Sequence, residues 1–228
     1  MTSLGSQEST CSGAPPLCEG LSLRDIVITL EVPLFDPISL DIPPGDIMTL
    51  MGSSGVGKSS LLAFLTGTLS RSFKTHGQVY IHQKEITQTP PEKRHLGILF
   101  QDDLLFPHLS VGQNLALAIP KSVKGEKRQE KIYAALEEAG LTGYENRDPA
   151  TLSGGQKARI ALLRVLLSEP KALLLDEPFS KIDPETRSTF RYFVYDHVRT
   201  LKLPTLLVTH DPQDASIAQG RLKELKKT

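Results

Sequence analysis

Cysteine is nearly absent. The 228 residues hold two, Cys11 and Cys18, both in or next to a polar amino-terminal stretch. Thiols so placed argue against a disulfide framework and against a cysteine-built metal site. No apolar run approaches the roughly 18 to 20 residues needed to cross a bilayer. The opening MTSLGSQESTCSGAPP carries neither the basic nor the apolar segment of a secretion signal, so the chain is expected to stay in the cytosol. Net charge is missing too: 26 Lys plus Arg face 26 Asp plus Glu. The overall basic field of a nucleic-acid binder is therefore lacking, and no nucleic-acid partner is expected.

What is present fits an ordinary globular chain, with 39% apolar and 23% charged residues. The length suits one domain with a sizeable core. Residues 1–17, rich in Ser, Gly, Thr and Pro, are expected to be a disordered tail, and residues 18–228 the domain. Strand-like runs are expected at Ile26–Leu30, Ile38–Ile42, Ile47–Met51, Gln78–Ile81, Leu96–Phe100 and Ala172–Asp176, with Leu206–Thr209 the last clear strand. Helical patterns at Ser59–Leu65, about Ser153–Leu167 and from Asp183-Pro184 onward alternate with them. The stretch at about 102–152 reads as a helical insertion: Ser110 and Gln113 form a capping box, and Ile132, Leu136 and Ala139 recur at helical spacing. Strands alternating with helices predict an α/β fold with a parallel sheet covered on both faces, plus a small antiparallel β portion near the amino terminus.

Three motifs carry chemistry. Gly52-Ser53-Ser54-Gly55-Val56-Gly57-Lys58-Ser59 fits the phosphate-loop pattern, with an apolar strand before it and the Ser59–Leu65 helix behind it, and Ser60 is counted with the loop as a phosphate-binding candidate. Its glycines allow backbone N–H groups to point inward, and the helix adds its positive end. Lys58 is placed to reach the β- and γ-phosphates and Ser59 to offer a hydroxyl to Mg²⁺. The expected ligands are thus ATP and Mg²⁺. The run Ala172–Leu175 ends in Asp176-Glu177, at the end of a strand where parallel sheets place ligands. Asp176 is expected to hold Mg²⁺ through water and Glu177 to take a proton from an attacking water. Alone, such an acidic pair is more often a helix cap or a solvated turn, and the phosphate loop upstream reverses that reading. Leu152-Ser153-Gly154-Gly155-Gln156 is a capping box that also makes an anion site, and spacing does not say which phosphate it meets.

The order Gly52–Ser59, Gln101, Leu152–Gln156, Asp176-Glu177 and His210 resembles the nucleotide-binding subunits of ABC transporters, over about residues 20–215. That resemblance implies a RecA-like P-loop NTPase core and a head-to-tail homodimer with two ATP molecules between the chains. Ser153, Gly154, Gly155 and Gln156 of one chain would serve the γ-phosphate held by the other chain's phosphate loop. Gln101 would touch Mg²⁺ and the attacking water and sense the membrane partner. Ser180–Asp183 would be the D-loop, and His210 would contact the γ-phosphate. The run Leu99–Ser110 is similar to the bacterial importer branch, whose members carry thiamine, ferric iron, polyamines or sulfate. It implies integral membrane permease subunits as partners, a solute-binding protein as an indirect one, and a peripheral place on the cytoplasmic face of the inner membrane. The alternative is a non-transport ABC-type ATPase acting as a regulatory or nucleic-acid-associated switch. Glu177 disfavours a binder that never hydrolyses, and the insertion is too short for the coiled-coil arms of the DNA-repair relatives.

The chain departs from the family pattern in three places. The family's adenine-stacking aromatic would fall near Thr29 or Leu30, and neither is aromatic; Phe35, the nearest, is expected in the core. Lys181-Ile182 stands where small or apolar residues are usual. The chain ends soon after His210, so no regulatory domain is expected beyond it.

Overall fold

The computed structural model describes residues 17–227, so the expected tail up to residue 16, with Cys11, lies outside the described residues. In chain order the strands are β1 (Leu21–Thr29), β2 (Ile38–Ile42), β3 (Ile47–Met51), β4 (Lys74–Ile81), β5 (Lys84–Glu85), β6 (Leu96–Leu99), β7 (Ala172–Asp176), β8 (Thr205–Thr209) and β9 (Arg221–Glu224). The helices are α1 (Lys58–Thr66), α2 (Val111–Ala116), α3 (Glu126–Glu138), α4 (Gly154–Leu166), α5 (Pro184–Thr200) and α6 (Pro212–Ala218).

Two sheets result. Strands β2-β1-β4-β5 make an antiparallel sheet, and β6-β7-β8-β3-β9 make a wholly parallel one. Side chains alternate across the parallel sheet because successive Cβ atoms point to opposite faces. In β7, Ala172 and Leu174 join α1 and the antiparallel sheet in one core, whereas Leu173 and Leu175 pack with α4 and α5 in another. A third cluster, built on Val111, Leu115, Ile132 and Leu136, closes α2 and α3 over Ile160 and Leu163 of α4. The segment expected to be an insertion thus has an apolar core of its own, joined to the main body through α4.

Local chemistry explains the helix starts. Ser110 and Ser153 cap α2 and α4, each with its Gln three residues on completing the box. Asp183 and Asp211 cap α5 and α6, each followed by Pro at the first helical position.

Several expectations change. β1 begins at Leu21 rather than Ile26, and β4 begins at Lys74 rather than Gln78. The polar residues of β4 extend as a strand because they pair with β1. Leu206–Thr209 is not the last strand. After it come α6 and β9, and β9 pairs in parallel with β3 although no residue in Arg221–Glu224 is fully buried. Cys18 is tied to the sheet, its sulfur lying 3.3 Å from Ser22 Oγ and 3.6 Å from Ile42 O.

Helix α1, which carries the phosphate loop, is held from behind by one buried arginine. Arg94 donates to Phe64 O (2.8 Å) and Leu65 O (2.6 Å) at the helix end, and to Thr87 O (2.6 Å) and Thr89 O (2.7 Å) in the neighbouring loop. Gly67 makes this possible twice over. It takes the left-handed conformation (φ 78°) that ends α1, and a Cβ there would lie 2.8 Å from the Arg94 guanidinium. Arg94→Ala leaves buried carbonyls without donors. It is expected to cost about 3 kcal/mol and to lower the thermal midpoint by roughly 6–12 °C. Arg94→Lys should not restore it, since one ammonium cannot reach four spread carbonyls. Thermal unfolding of the three proteins checks this, and a shift under about 2 °C for Arg94→Ala would contradict it.

Candidate nucleotide-binding site

The site is set by register. Strand β8 pairs with β3 on one side, Val208 opposite Leu50 and Thr209 opposite Met51; on the other side it pairs with β7, Val208 opposite Asp176. The three strands therefore stop within one residue of a common level. Gly52, Glu177 and His210, the residues that follow them, emerge along one edge.

From β3 the chain turns through Gly52–Gly57 into α1. Gly55 (φ 78°) and Gly57 (φ 103°) lie in the left-handed region, which a glycine adopts without strain. Gly57 has a second reason: a Cβ there would sit 3.0 Å from Phe35 Cδ1 and 3.1 Å from Leu34 Cβ. Phe35, fully buried, props the loop from beneath, in keeping with the core position expected for it. Lys58 Nζ donates to Gly52 O (2.8 Å) and Ser53 O (3.0 Å), which holds the ammonium over the loop.

Ser54, Gly55, Gly57, Lys58, Ser59, Ser60 and Glu177 line one cleft of about 290 Å³. Asp176 stands next to it, half-buried. Burial, and then the charge of Glu177, push its carboxyl above the usual carboxylate range, while Lys58 pulls the other way. Glu177 has φ 48°, a conformation that non-glycine residues seldom adopt, and its N–H donates to Val208 O at 2.9 Å. The twist turns the side chain off the strand, and Glu177 Oε1 lies 3.2 Å from His210 Nδ1.

His210 is exposed, but the turn that bears it is fixed by buried charges. Arg191, 2% exposed, donates through Nε to Asp214 (2.7 Å) and through its other nitrogens to Asp211 (2.7 Å) and Gln213 (3.3 Å). Thr209 Oγ1 donates to the second Asp214 oxygen at 2.5 Å. Arg191, Asp211 and Asp214 were not expected here from the sequence. Buried charges look like surface charges in a string, and the capping run Asp211-Pro212 was the one available signal.

Other expected site residues stand apart. Gln101 is exposed in the bend after β6 and does not line the cleft. Its neighbours Phe100, Leu104 and Phe106 are large exposed apolar side chains. Ser153, Gly154, Gly155 and Gln156 form the start of α4 and do not line the cleft of their own chain either. A Cβ on Gly154 would meet nothing within 4 Å, so this helix start opens to solvent, while Gly155 lies against Thr186 of α5. In the D-loop, Lys181 pairs with Asp102.

The donors suit Mg²⁺. Among the described residues no group of three or more His, Cys, Asp or Glu could hold a metal by itself. Mg²⁺ asks for less, one or two protein oxygens beside waters and phosphate. Ser59 and Asp176 provide hard oxygens at the cleft, and Gln101 is the remaining candidate.

A parallel sheet with a phosphate loop, an acidic strand end and a histidine turn on one edge defines a P-loop NTPase. Residues 35–180 match the ABC transporter family model, and the chain belongs to that family. Like the class, it binds ATP and hydrolyses it. It is 49% identical over 195 residues to the ABC transporter ATP-binding protein YnjD of Escherichia coli K12, covering 85% of this chain and 90% of that one. It is 42% identical over 172 residues to the thiamine import ATP-binding protein ThiQ of Photobacterium profundum, covering 75% and 70%. It is 36% identical over 204 residues to the spermidine/putrescine import ATP-binding protein PotA of Bacteroides fragilis. That match covers 86% of this chain but 44% of PotA, so the chain spans less than half the length of that relative.

The electrostatics of the acid pair predict a trade-off. Asp176→Asn removes a carboxylate whose ionisation burial and Glu177 disfavour, so the thermal midpoint without nucleotide should rise by a few degrees while ATP turnover falls. Calorimetry and a phosphate-release assay check both. A lower midpoint would mean that the attraction to Lys58 outweighs burial and the Glu177 charge.

Proposed function

We propose that the chain is the ATP-hydrolysing subunit of an importer and works as a head-to-tail homodimer with two ATP molecules between its copies. The observation that carries this is the division of the site. The cleft of one chain has the phosphate loop and Glu177, while the capped, glycine-rich start of α4 faces open solvent elsewhere. Such a helix start offers free N–H groups and the positive end of its dipole to an anion. A second copy turned about a two-fold axis would bring Ser153, Gly154, Gly155 and Gln156 to the γ-phosphate on the loop of the first.

Within that arrangement the residues take distinct roles. The N–H groups of Gly52–Ser60 cradle the phosphates, and Lys58 neutralises them. Ser59, Asp176 and Gln101 are the residues that would hold Mg²⁺. When bound, that ion draws charge from the phosphate oxygens and so favours attack. Glu177 accepts the proton of the attacking water, which lets the oxygen bond to the γ-phosphorus as the bond to ADP breaks. His210, fixed beside Glu177 by the Arg191 network, donates to the γ-phosphate and links phosphate contact to the position of Glu177.

The import direction is supported by the printed functions of the thiamine and spermidine/putrescine relatives. Membrane-spanning permease subunits are separate partners in this reading, with a solute-binding protein acting indirectly. Among the described residues no helix is long and apolar enough to cross a membrane. The exposed Phe100, Leu104 and Phe106 beside Gln101 suit the permease contact, since a cluster of large apolar side chains on a surface commonly marks an interface. The chain would then sit on the cytoplasmic face of the inner membrane, where closure on ATP and opening after hydrolysis drive the permease.

Mixing two inactive variants tests the shared site. Lys58→Ala removes the phosphate charge from both sites of its homodimer, and Ser153→Arg blocks both opposing helix starts, so each alone should be nearly inactive. In a mixed dimer both defects fall on one site and the other is intact. Random pairing gives about half heterodimers, so phosphate release should rise on mixing, with tight ATP binding at one site per heterodimer. Confirmed heterodimers with tight ATP binding at neither site would contradict the shared arrangement.

A further inference from the structure

The cleft that holds the phosphate loop has a second wall of different chemistry. Leu30, Leu34 and Phe73 line it alongside Ser54–Ser60. None of the three can grip a phosphate. Leu30 is 50% exposed, and Phe73 is partly buried, packing on the core while lining the cleft. Apolar surface held at the mouth of a polar cleft is costly in water unless something flat and apolar covers it.

The chain builds this wall deliberately from two directions. β1 and β4 run antiparallel with Thr29 opposite Lys74, so Leu30 and Phe73 are the next residues outward on the two strands. Phe73 is fixed there by a tight turn, its N–H donating to Ser70 O at 3.1 Å. The loop after β1 folds back through Leu34 N–H to Ile28 O (2.9 Å) and a bridge between Thr29 and Pro33, which sets Leu34 against the phosphate loop. Phe35 is fully buried under Gly57 and can offer no face to a ligand.

We propose that Phe73 is the surface on which the nucleobase stacks, with Leu30 and Leu34 as its apolar flanks. The inference rests on the phosphate-loop reading and adds to it the part of the nucleotide that loop does not touch. Phe73 comes from the turn before β4 rather than from the end of β1, and antiparallel pairing brings the two together. The wall has an aromatic face and aliphatic edges but no side-chain donor or acceptor. Stacking is tolerant of base identity because every base has a π-face. The site should therefore accept purine nucleoside phosphates with little discrimination between adenine and guanine.

Titration calorimetry of the full chain with Mg²⁺ and ADP, GDP or pyrophosphate tests this without turnover. In the wild type, ADP and GDP should bind within about tenfold of each other, since no hydrogen bond reads the base. Phe73→Ala should weaken both by roughly ten- to a hundredfold, the loss of one stacked base, and leave pyrophosphate unchanged. Phe73→Leu keeps the bulk that packs on the core and should still lose ADP affinity with pyrophosphate unchanged, whereas Phe73→Trp should retain it. ADP affinity within about twofold of wild type in Phe73→Ala would overturn the assignment, because even a weak stack contributes more. Equal weakening of ADP and pyrophosphate would also overturn it, by showing that Phe73 merely supports the loop. An ADP preference beyond about a hundredfold in the wild type would contradict a wall without hydrogen-bonding groups. A wild-type chain that bound neither pyrophosphate nor ADP would instead remove the phosphate-loop reading, and this one with it.

Discussion

The ladder joining Met51 to Thr209 and Asp176 to Val208 decides where Gly52, Glu177 and His210 stand. Parallel strands that end within one residue of a common level leave their next residues close together, and here those residues are Gly52, Glu177 and His210. The strands can be held so because they are buried on both faces, with α1 and the antiparallel sheet on one side and α4 and α5 on the other. A slip of one residue in β7 would move Leu173 and Leu175 to the opposite core and carry Glu177 away from the cleft. Packing and chemistry are therefore fixed by the same pairing.

Stability is given up at the cleft. Asp176 is kept half-buried beside a second carboxylate, and Glu177 adopts a backbone conformation that side chains resist. Compensation lies a layer further out. Arg191 binds Asp211 and Asp214 in a buried network that pins the histidine turn to α5, and Arg94 ties the end of α1 to its neighbouring loop. Both arginines use the planar fork of the guanidinium to satisfy oxygens on separate residues, and those around Arg94 are spread more widely than a single ammonium can reach.

The phosphate loop and the acidic strand end were legible in the sequence because each joins a buried run to an abrupt change of residue type: Ile47–Met51 to glycines, Ala172–Leu175 to carboxylates. The capping boxes were legible because they are local. What could not be read depends on partners distant in the chain. β9 has no apolar alternation and becomes a strand by pairing with β3. Phe73 sits in a polar turn, and its place beside Leu30 follows from the pairing of β1 with β4. That no aromatic stands near Thr29 is visible in the sequence, but that Phe73 lines the cleft needed the fold. Arg94 and Arg191 resemble surface charges until their burial is known.

In the proposed cycle two copies close over ATP and Glu177 then takes the proton from water. Sedimentation of Glu177→Gln with ATP and Mg²⁺, together with a count of bound nucleotide, tests it most directly. The substitution removes the base and a negative charge beside the γ-phosphate while keeping the shape of the site. The expected result is a species of twice the chain's mass holding two unhydrolysed ATP molecules, with turnover reduced by roughly 10²- to 10⁴-fold. Monomers that each hold ATP, or turnover near that of the wild type, would contradict it.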